Sequence, residues 1–145
     1  MIALLQRVTE AAVDVDGQRI ASIDKGLLVL LGVEKSDDEV IAQRLIDKVL
    51  KYRVFADDDD KMNLSLLDIN GGLLIVPQFT LAASTEKGLR PSFSSSAPPD
   101  MARQLFDKTV ELAQKNTSIV EKGQFGIDMK VSLINDGPVT FWIQI

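Results

Sequence analysis

Two short stretches hold the groups that could do chemistry in this sequence: Gln78-Phe79-Thr80, inside "LLIVPQFTLAAS", and residues 135–140, "NDGPVT". The first follows an apolar run and presents an amide, a hydroxyl and several backbone N–H groups where the chain leaves a buried strand, a place that holds such groups rigidly. Taken singly, Thr80 is equally a β-former, Gln78 an exposed strand residue, and Asn-Asp-Gly a hairpin turn. Their importance comes from the lack of stronger candidates. The 145 residues contain no histidine and no cysteine, which excludes Ser-His-Asp triads, Cys-His pairs, imidazole or thiolate zinc sites and disulfides. Hydrolytic chemistry must then draw on carboxylates, hydroxyls, amines, backbone amides or the substrate itself.

A net charge of −5 argues against a protein that coats nucleic acid through many phosphate contacts, and leaves contact with one small part of a nucleic acid open. No apolar run reaches the roughly 18 residues that a membrane span needs. The opening "MIALLQRVTEAAV" carries Arg7 in its apolar part and no cleavage signal, so a soluble, unexported, cytoplasmic protein is expected. The acidic run "DDDDK" at 57–61 lacks the alternating spacing and the glycine of a calcium loop and reads as a solvated surface turn. Neither a metal nor a cofactor is expected.

The elements that must position the two stretches follow from periodicity. "IALLQRV" and "AAVDVDGQRIASI" have strand composition with a turn at Asp16-Gly17, and "GLLVLLGV" suits a strand buried on both faces. Ser36-Asp37-Asp38-Glu39 has capping-box spacing, so a helix is predicted to open at Ser36 and bury Ile41, Leu45, Ile46, Val49 and Tyr52. A short strand at "YRVFA" and a turn at Asn70-Gly71-Gly72 precede the run ending at Pro77, which belongs at a strand edge or end. The Ser, Gly and Pro-rich stretch 85–98 reads as a long functional loop. Pro98-Pro99-Asp100 then starts a second helix with Met101, Leu105, Phe106, Val110 and Ala113 on its apolar face. From Ile119 the chain returns to strands, with Val131 and Leu133 before the "NDG" turn and Val139, Phe141, Ile143 and Ile145 after it. The order β-β-β-α-β-β-α-β-β predicts a single α+β domain over residues 1–145, with a mixed or largely antiparallel, barrel-like sheet covered by two helices. No dinucleotide fingerprint, P-loop or zinc spacing occurs.

Taken together, "QFTLA" at 78–82, "NDGPVT" at 135–140, "GLRPSF" at 88–93 and "QRV" at 6–8 resemble the D-aminoacyl-tRNA deacylase family over essentially the whole chain. The family's Ser-Gln-Phe-Thr motif, which lines its pocket, falls on Gln78, Phe79 and Thr80. Its Gly-Pro motif, held cis and reaching into the pocket of the partner subunit of a homodimer, falls on Gly137 and Pro138, followed by Val139 and Thr140. One position departs: Pro77 stands where the family usually has serine, and proline offers neither a hydroxyl nor an N–H.

The resemblance implies an editing hydrolase that frees D-amino acids from tRNA, accepts glycyl-tRNA as well, and excludes L-aminoacyl esters by the Gly137-Pro138 wall. It implies catalysis assisted by the tRNA's own ribose hydroxyl, with the amides of Phe79 and Thr80 as oxyanion donors and the Thr80 hydroxyl as the alternative nucleophile. The implied partners are the 3′-terminal aminoacyl-adenosine of tRNA and a second copy of the chain forming composite sites. Arg7 is either an exposed strand charge or the fork that holds the carbonyls of the Gly-Pro loop in place. Met129 is either core or packing for the terminal adenine, and Lys87 and Arg90 are either phosphate contacts or solvated charges. A non-catalytic dimeric module that binds a nucleotide or an RNA end is the rival reading.

Overall fold

Alternating apolar residues near the N-terminus make one long strand, β1 (Ile2–Val15), around which the computed structural model, describing residues 1–86 and 88–145, builds its sheet. On one side, the C-terminal half of β1 pairs antiparallel with β2 (Gln18–Ile23) across the Asp16-Gly17 turn, and its N-terminal half with β3 (Gly26–Gly32). β3 then runs parallel to β6 (Gly72–Pro77), and β6 parallel to β7 (Val120–Lys122). On the other side β1 is covered along its length by the antiparallel strand β8 (Lys130–Gln144). The result is a mixed, nearly closed, barrel-like sheet, in agreement with the α+β expectation.

Flanked by β1 and β6, β3 sends Leu27, Val29 and Leu31 to one apolar cluster and Leu28 to another. This two-sided burial is what its continuous apolar run requires. Leu73 and Ile75 of β6 join the first cluster, and Leu74 and Val76 the second. The first lies under two helices, α1 (Glu39–Lys51) and α3 (Pro99–Gln114), which bury Leu45, Ile46 and Val49, and Leu105, Phe106 and Val110 respectively. The second, with Val8 and Val13 of β1, fills the inside of the curled sheet.

Several local expectations need correction. The first helix is capped by Asp38, whose carboxylate accepts the Ile41 amide at 2.8 Å, and not by Ser36. Asp37 is drawn away instead: it accepts the Glu34 amide at 2.7 Å and the Met1 ammonium at 2.6 Å. Glu34 takes the same ammonium at 3.0 Å; burial pushes its carboxyl up, but the hydrogen bond from Gln144 and the ammonium outweigh this and hold it below the usual range. A helix of one turn, α2 (Leu66–Ile69), adds to the two expected helices; it is closed by a reciprocal Ser65–Asp68 capping box and by Asn70 in the left-handed region. It follows a small hairpin of β4 (Phe55–Ala56) and β5 (Met62–Leu64). The acidic run forms the connection between those strands, where Asp57 accepts the Asp59 and Lys61 amides at 3.0 Å each and Asn63 Nδ2 at 2.7 Å.

The largest correction concerns "NDGPVT". It is not a hairpin turn between two strands, because β8 continues through it without reversing. Gln6 of β1 faces Thr140 and Val8 faces Asn135, so residues 136–139 of β8 stand opposite Arg7 alone and are thrown out of the ladder as a bulge. Pro138, which has no N–H to give, sits where no ladder bond is made.

Candidate functional site

Pro77 ends β6, as a proline should, and the chain turns at once into a short 3-10 turn, Phe79–Ala82. The turn rests on the end of β3: a side chain on Gly32 would stand 3.0 Å from Leu81 Cβ and 3.3 Å from the Gln78 carbonyl, so a residue without Cβ lets the two approach. Gln78 leaves its backbone N–H on the Leu31 carbonyl at 2.8 Å, and its side chain gives no cap to the turn. The amides of Phe79 and Thr80, the first two of the turn, have no acceptor within it. Gln78 Nε2 donates to Thr80 Oγ1 at 2.5 Å, which fixes both side chains.

Gln78 and Phe79, but not Thr80, edge a cavity of about 720 Å³. Gln78, Phe79 and Met129 line it, together with Pro77. Phe79, 58% exposed, leans on Phe93 from the long loop, 43% exposed, with ring centroids 5.2 Å apart, so two aromatic rings stand at the mouth. Ala102 of α3 and Phe125 of the segment after β7 form further wall. Met129 is partly buried, packed against the second apolar cluster while lining the cavity: the Gln124 amide points at its sulfur at 3.3 Å, and a side chain on Gly123 would meet that sulfur at 2.9 Å. Ser96 Oγ, also on this wall, is buried without a hydrogen-bond partner among the described residues. A pocket of this kind, mostly apolar with a few convergent polar groups, suits a small organic ligand or the end of a larger one.

The second motif is elsewhere. Gly137, Pro138, Val139 and Thr140 belong to the β8 bulge and none lines the cavity of the same chain. The Gly137–Pro138 peptide is cis, and both residues are exposed. Arg7, half-buried, holds the bulge: its Nε donates to the Asp136 carbonyl at 2.9 Å and its Nη1 to the Val54 carbonyl at 2.7 Å. Asn135 closes the base, accepting the Val139 amide at 2.8 Å and donating to Thr140 Oγ1 at 2.8 Å. Arg7 is therefore no free surface charge. Its fork takes the Asp136 carbonyl, next to Gly137 in the Gly-Pro loop, and the Val54 carbonyl. Of the two loop cations, Arg90 is exposed and lies outside the cavity lining, and Lys87 lies outside the described residues.

The family described as D-Tyr-tRNA(Tyr) deacylase matches residues 4–144. This chain belongs to the D-Tyr-tRNA(Tyr) deacylase family. A D-aminoacyl-tRNA deacylase of Teredinibacter turnerae is 61% identical over 99% of both chains, and one of Pasteurella multocida is 59% identical over the full length of both. A solved structure named c-Myc DNA Unwinding Element Binding Protein superposes with a TM-score of 0.96 at 35% identity, covering 100% of this chain and 99% of that one.

For a deacylase-family chain, the sequence located the polar edge of the cavity but missed much of its wall. Phe93, Ser96, Ala102 and Phe125 come from a loop, a helix start and a loop again. Of these only Ala102, on the buried face of α3, carries a periodic signal, and only tertiary folding brings the four together. The nearest hint was the long aperiodic stretch 85–98, which does supply Phe93 and Ser96.

Proposed function

We propose that this protein is an editing hydrolase that cleaves the ester between a D-amino acid and the 3′-terminal adenosine of tRNA, releasing the free amino acid and the tRNA. The full-length membership of the D-Tyr-tRNA(Tyr) deacylase family carries this reading, and the cavity gives it a place. Water adds to the acyl carbon, the ester C–O bond breaks, and the ribose oxygen leaves with a proton. An aminoacyl ester is already activated, so the protein's task is alignment and stabilisation of the oxyanion. The unused amides of Phe79 and Thr80 suit the second role, and the vicinal ribose hydroxyl of the tRNA suits the activation of water in a chain with no imidazole.

In the same reading the Gly137-Pro138 bulge is the wall that rejects L side chains, and it acts in the cavity of a second copy. Two observations support this arrangement: Gly137 and Pro138 are exposed and do not line their own cavity, and among the described residues β8 pairs only with β1, leaving a free edge with Ile134 and Trp142 exposed. A covered edge also removes an aggregation hazard. The active species is then a symmetric dimer with two composite sites. Glycine has no side chain to reject, so glycyl-tRNA is accepted too. The work is done in the cytoplasm, where tRNA is charged.

Incubation with D-tyrosyl-tRNA tests the function: many turnovers per protein are expected, whereas stoichiometric protection of the ester would make the protein a binder of RNA ends. Assembly is tested by mixing. Phe79→Pro, which deletes one amide, and Gly137→Val, which places a β-branched residue where φ is +136°, are each expected to be inactive as homodimers. Their mixture should regain activity through heterodimers with one intact site, and a fully active monomer at assay concentration would refute the composite site.

A further inference from the structure

Arg103, exposed on the first turns of α3, places its guanidinium carbon 5.1 Å from the ring centroid of Phe125. A side chain on Gly126 would come within 3.5 Å of its Nη2, so the fork lies along the Phe125-Gly126 segment that walls the cavity. Phe125 is shared: it also lines a second depression of about 520 Å³, more polar, whose wall includes Arg103, Lys122, Asp107 and Glu121. Lys122 is committed to Asp107 at 3.0 Å. Among the described residues Arg103 has no carboxylate within ion-pair distance and no hydrogen-bond acceptor, only the aromatic face. A stacked arginine keeps its five donors in a fixed plane with little freedom left to lose, an arrangement suited to a phosphate. In a chain of net charge −5, a polyanion needs such a local cation where it leaves the site.

We propose that Arg103 binds a backbone phosphate of the single-stranded 3′ end of the substrate tRNA, and that the RNA leaves the catalytic cavity over Phe125 into the adjoining depression. The inference rests on the hydrolase reading and adds to it the direction in which the nucleic acid departs. Arg103 is then a binding residue remote from the reacting atoms, and its contribution depends on a group that a shortened substrate lacks.

The experiment compares D-tyrosyl-tRNA with D-tyrosyl-adenosine, which carries the same ester and no phosphate, for the parent, Arg103→Ala and Arg103→Lys. Arg103→Ala is expected to lose about tenfold in kcat/KM on the tRNA, mostly through KM, and its log–log salt dependence is expected to flatten by about 0.7, the contribution of one single-strand phosphate contact. Hydrolysis of D-tyrosyl-adenosine should be unchanged in both variants, and Arg103→Lys should keep the salt slope. Equal losses on both substrates, or no loss on the tRNA, would overturn the phosphate role while the hydrolase reading stood. A parent protein inert towards both substrates would remove the hydrolase reading and this inference with it.

Discussion

Thr80→Ala is expected to retain D-tyrosyl-tRNA hydrolysis within about threefold of the parent, while a tRNA ending in 2′-deoxyadenosine is hydrolysed about 10²- to 10⁴-fold more slowly by both proteins, the usual worth of a positioned acid–base group. The reason lies in what surrounds the Thr80 hydroxyl. A serine or threonine becomes a nucleophile when an adjacent base takes its proton. Here Oγ1 receives a hydrogen bond from the Gln78 amide at 2.5 Å, which draws on its lone pair, and it donates to no base among the described residues. No histidine exists in the chain to serve as one. The backbone amide of residue 80 survives the substitution, so the oxyanion donor pair is kept. The measurement is single-turnover hydrolysis of matched ribose and deoxyribose substrates. A loss of several orders of magnitude in Thr80→Ala, with the deoxy substrate cleaved at the normal rate, would make the hydroxyl the nucleophile.

How much of this could be read in the sequence differs by element. Strands with a clear period came through: the two-sided apolar run at 26–32 is the central strand β3, and Pro77 falls at the last position of β6. Helix interiors were equally legible, with Leu45, Ile46, Val49, Phe106 and Val110 buried as their spacing requires. Ends were less so. Ser36 lost the cap to Asp38 because Asp37, the residue between them, is occupied by the Met1 ammonium, a partner 36 positions away. The reading of residues 135–138 failed for a related reason. Asn-Asp-Gly is a turn signal only if nothing pairs with the strand beyond it, and β1 is long enough to pair with both halves. At the cavity, Gln78 stands out in the sequence because its polar group follows an apolar run, and Phe79 comes with it only through the family motif, while Phe93 and Phe125 were not singled out, since aromatic residues in loops announce little until the fold assembles them.

The same bulge allows a test of chirality that depends on space and backbone conformation at one residue. Gly137 has φ +136°, a region that L side chains rarely enter. A Cβ there would stand 2.7 Å from Val139 Cγ2 and 3.1 Å from both Arg7 Nη2 and the Val139 backbone nitrogen. The Val139 side chain can rotate aside, but its backbone nitrogen cannot, being tied to Asn135 Oδ1 at 2.8 Å. Arg7 could withdraw only by loosening its hold on the Asp136 and Val54 carbonyls. Gly137→Ala therefore combines backbone strain of about 1–3 kcal/mol with the loss of the clamp that aims the bulge, and the bulge moves. If the bulge is the wall against L side chains, the ratio of kcat/KM for D- and L-tyrosyl-tRNA should fall by about a hundredfold, the effect expected of a displacement near 1 Å in a positioning group. Turnover of the D substrate should fall as well, so the ratio is the informative quantity. Gly137 itself is exposed and contributes to neither buried cluster, although Val139 beside it packs against the first, so the variant is expected to fold and assemble with some loss of stability, which size-exclusion chromatography and thermal melting can verify. A folded, assembled Gly137→Ala that rejects L-tyrosyl-tRNA as strongly as the parent would mean that chirality is read by the cavity wall itself, by residues such as Phe79 and Met129, and that the bulge has another purpose.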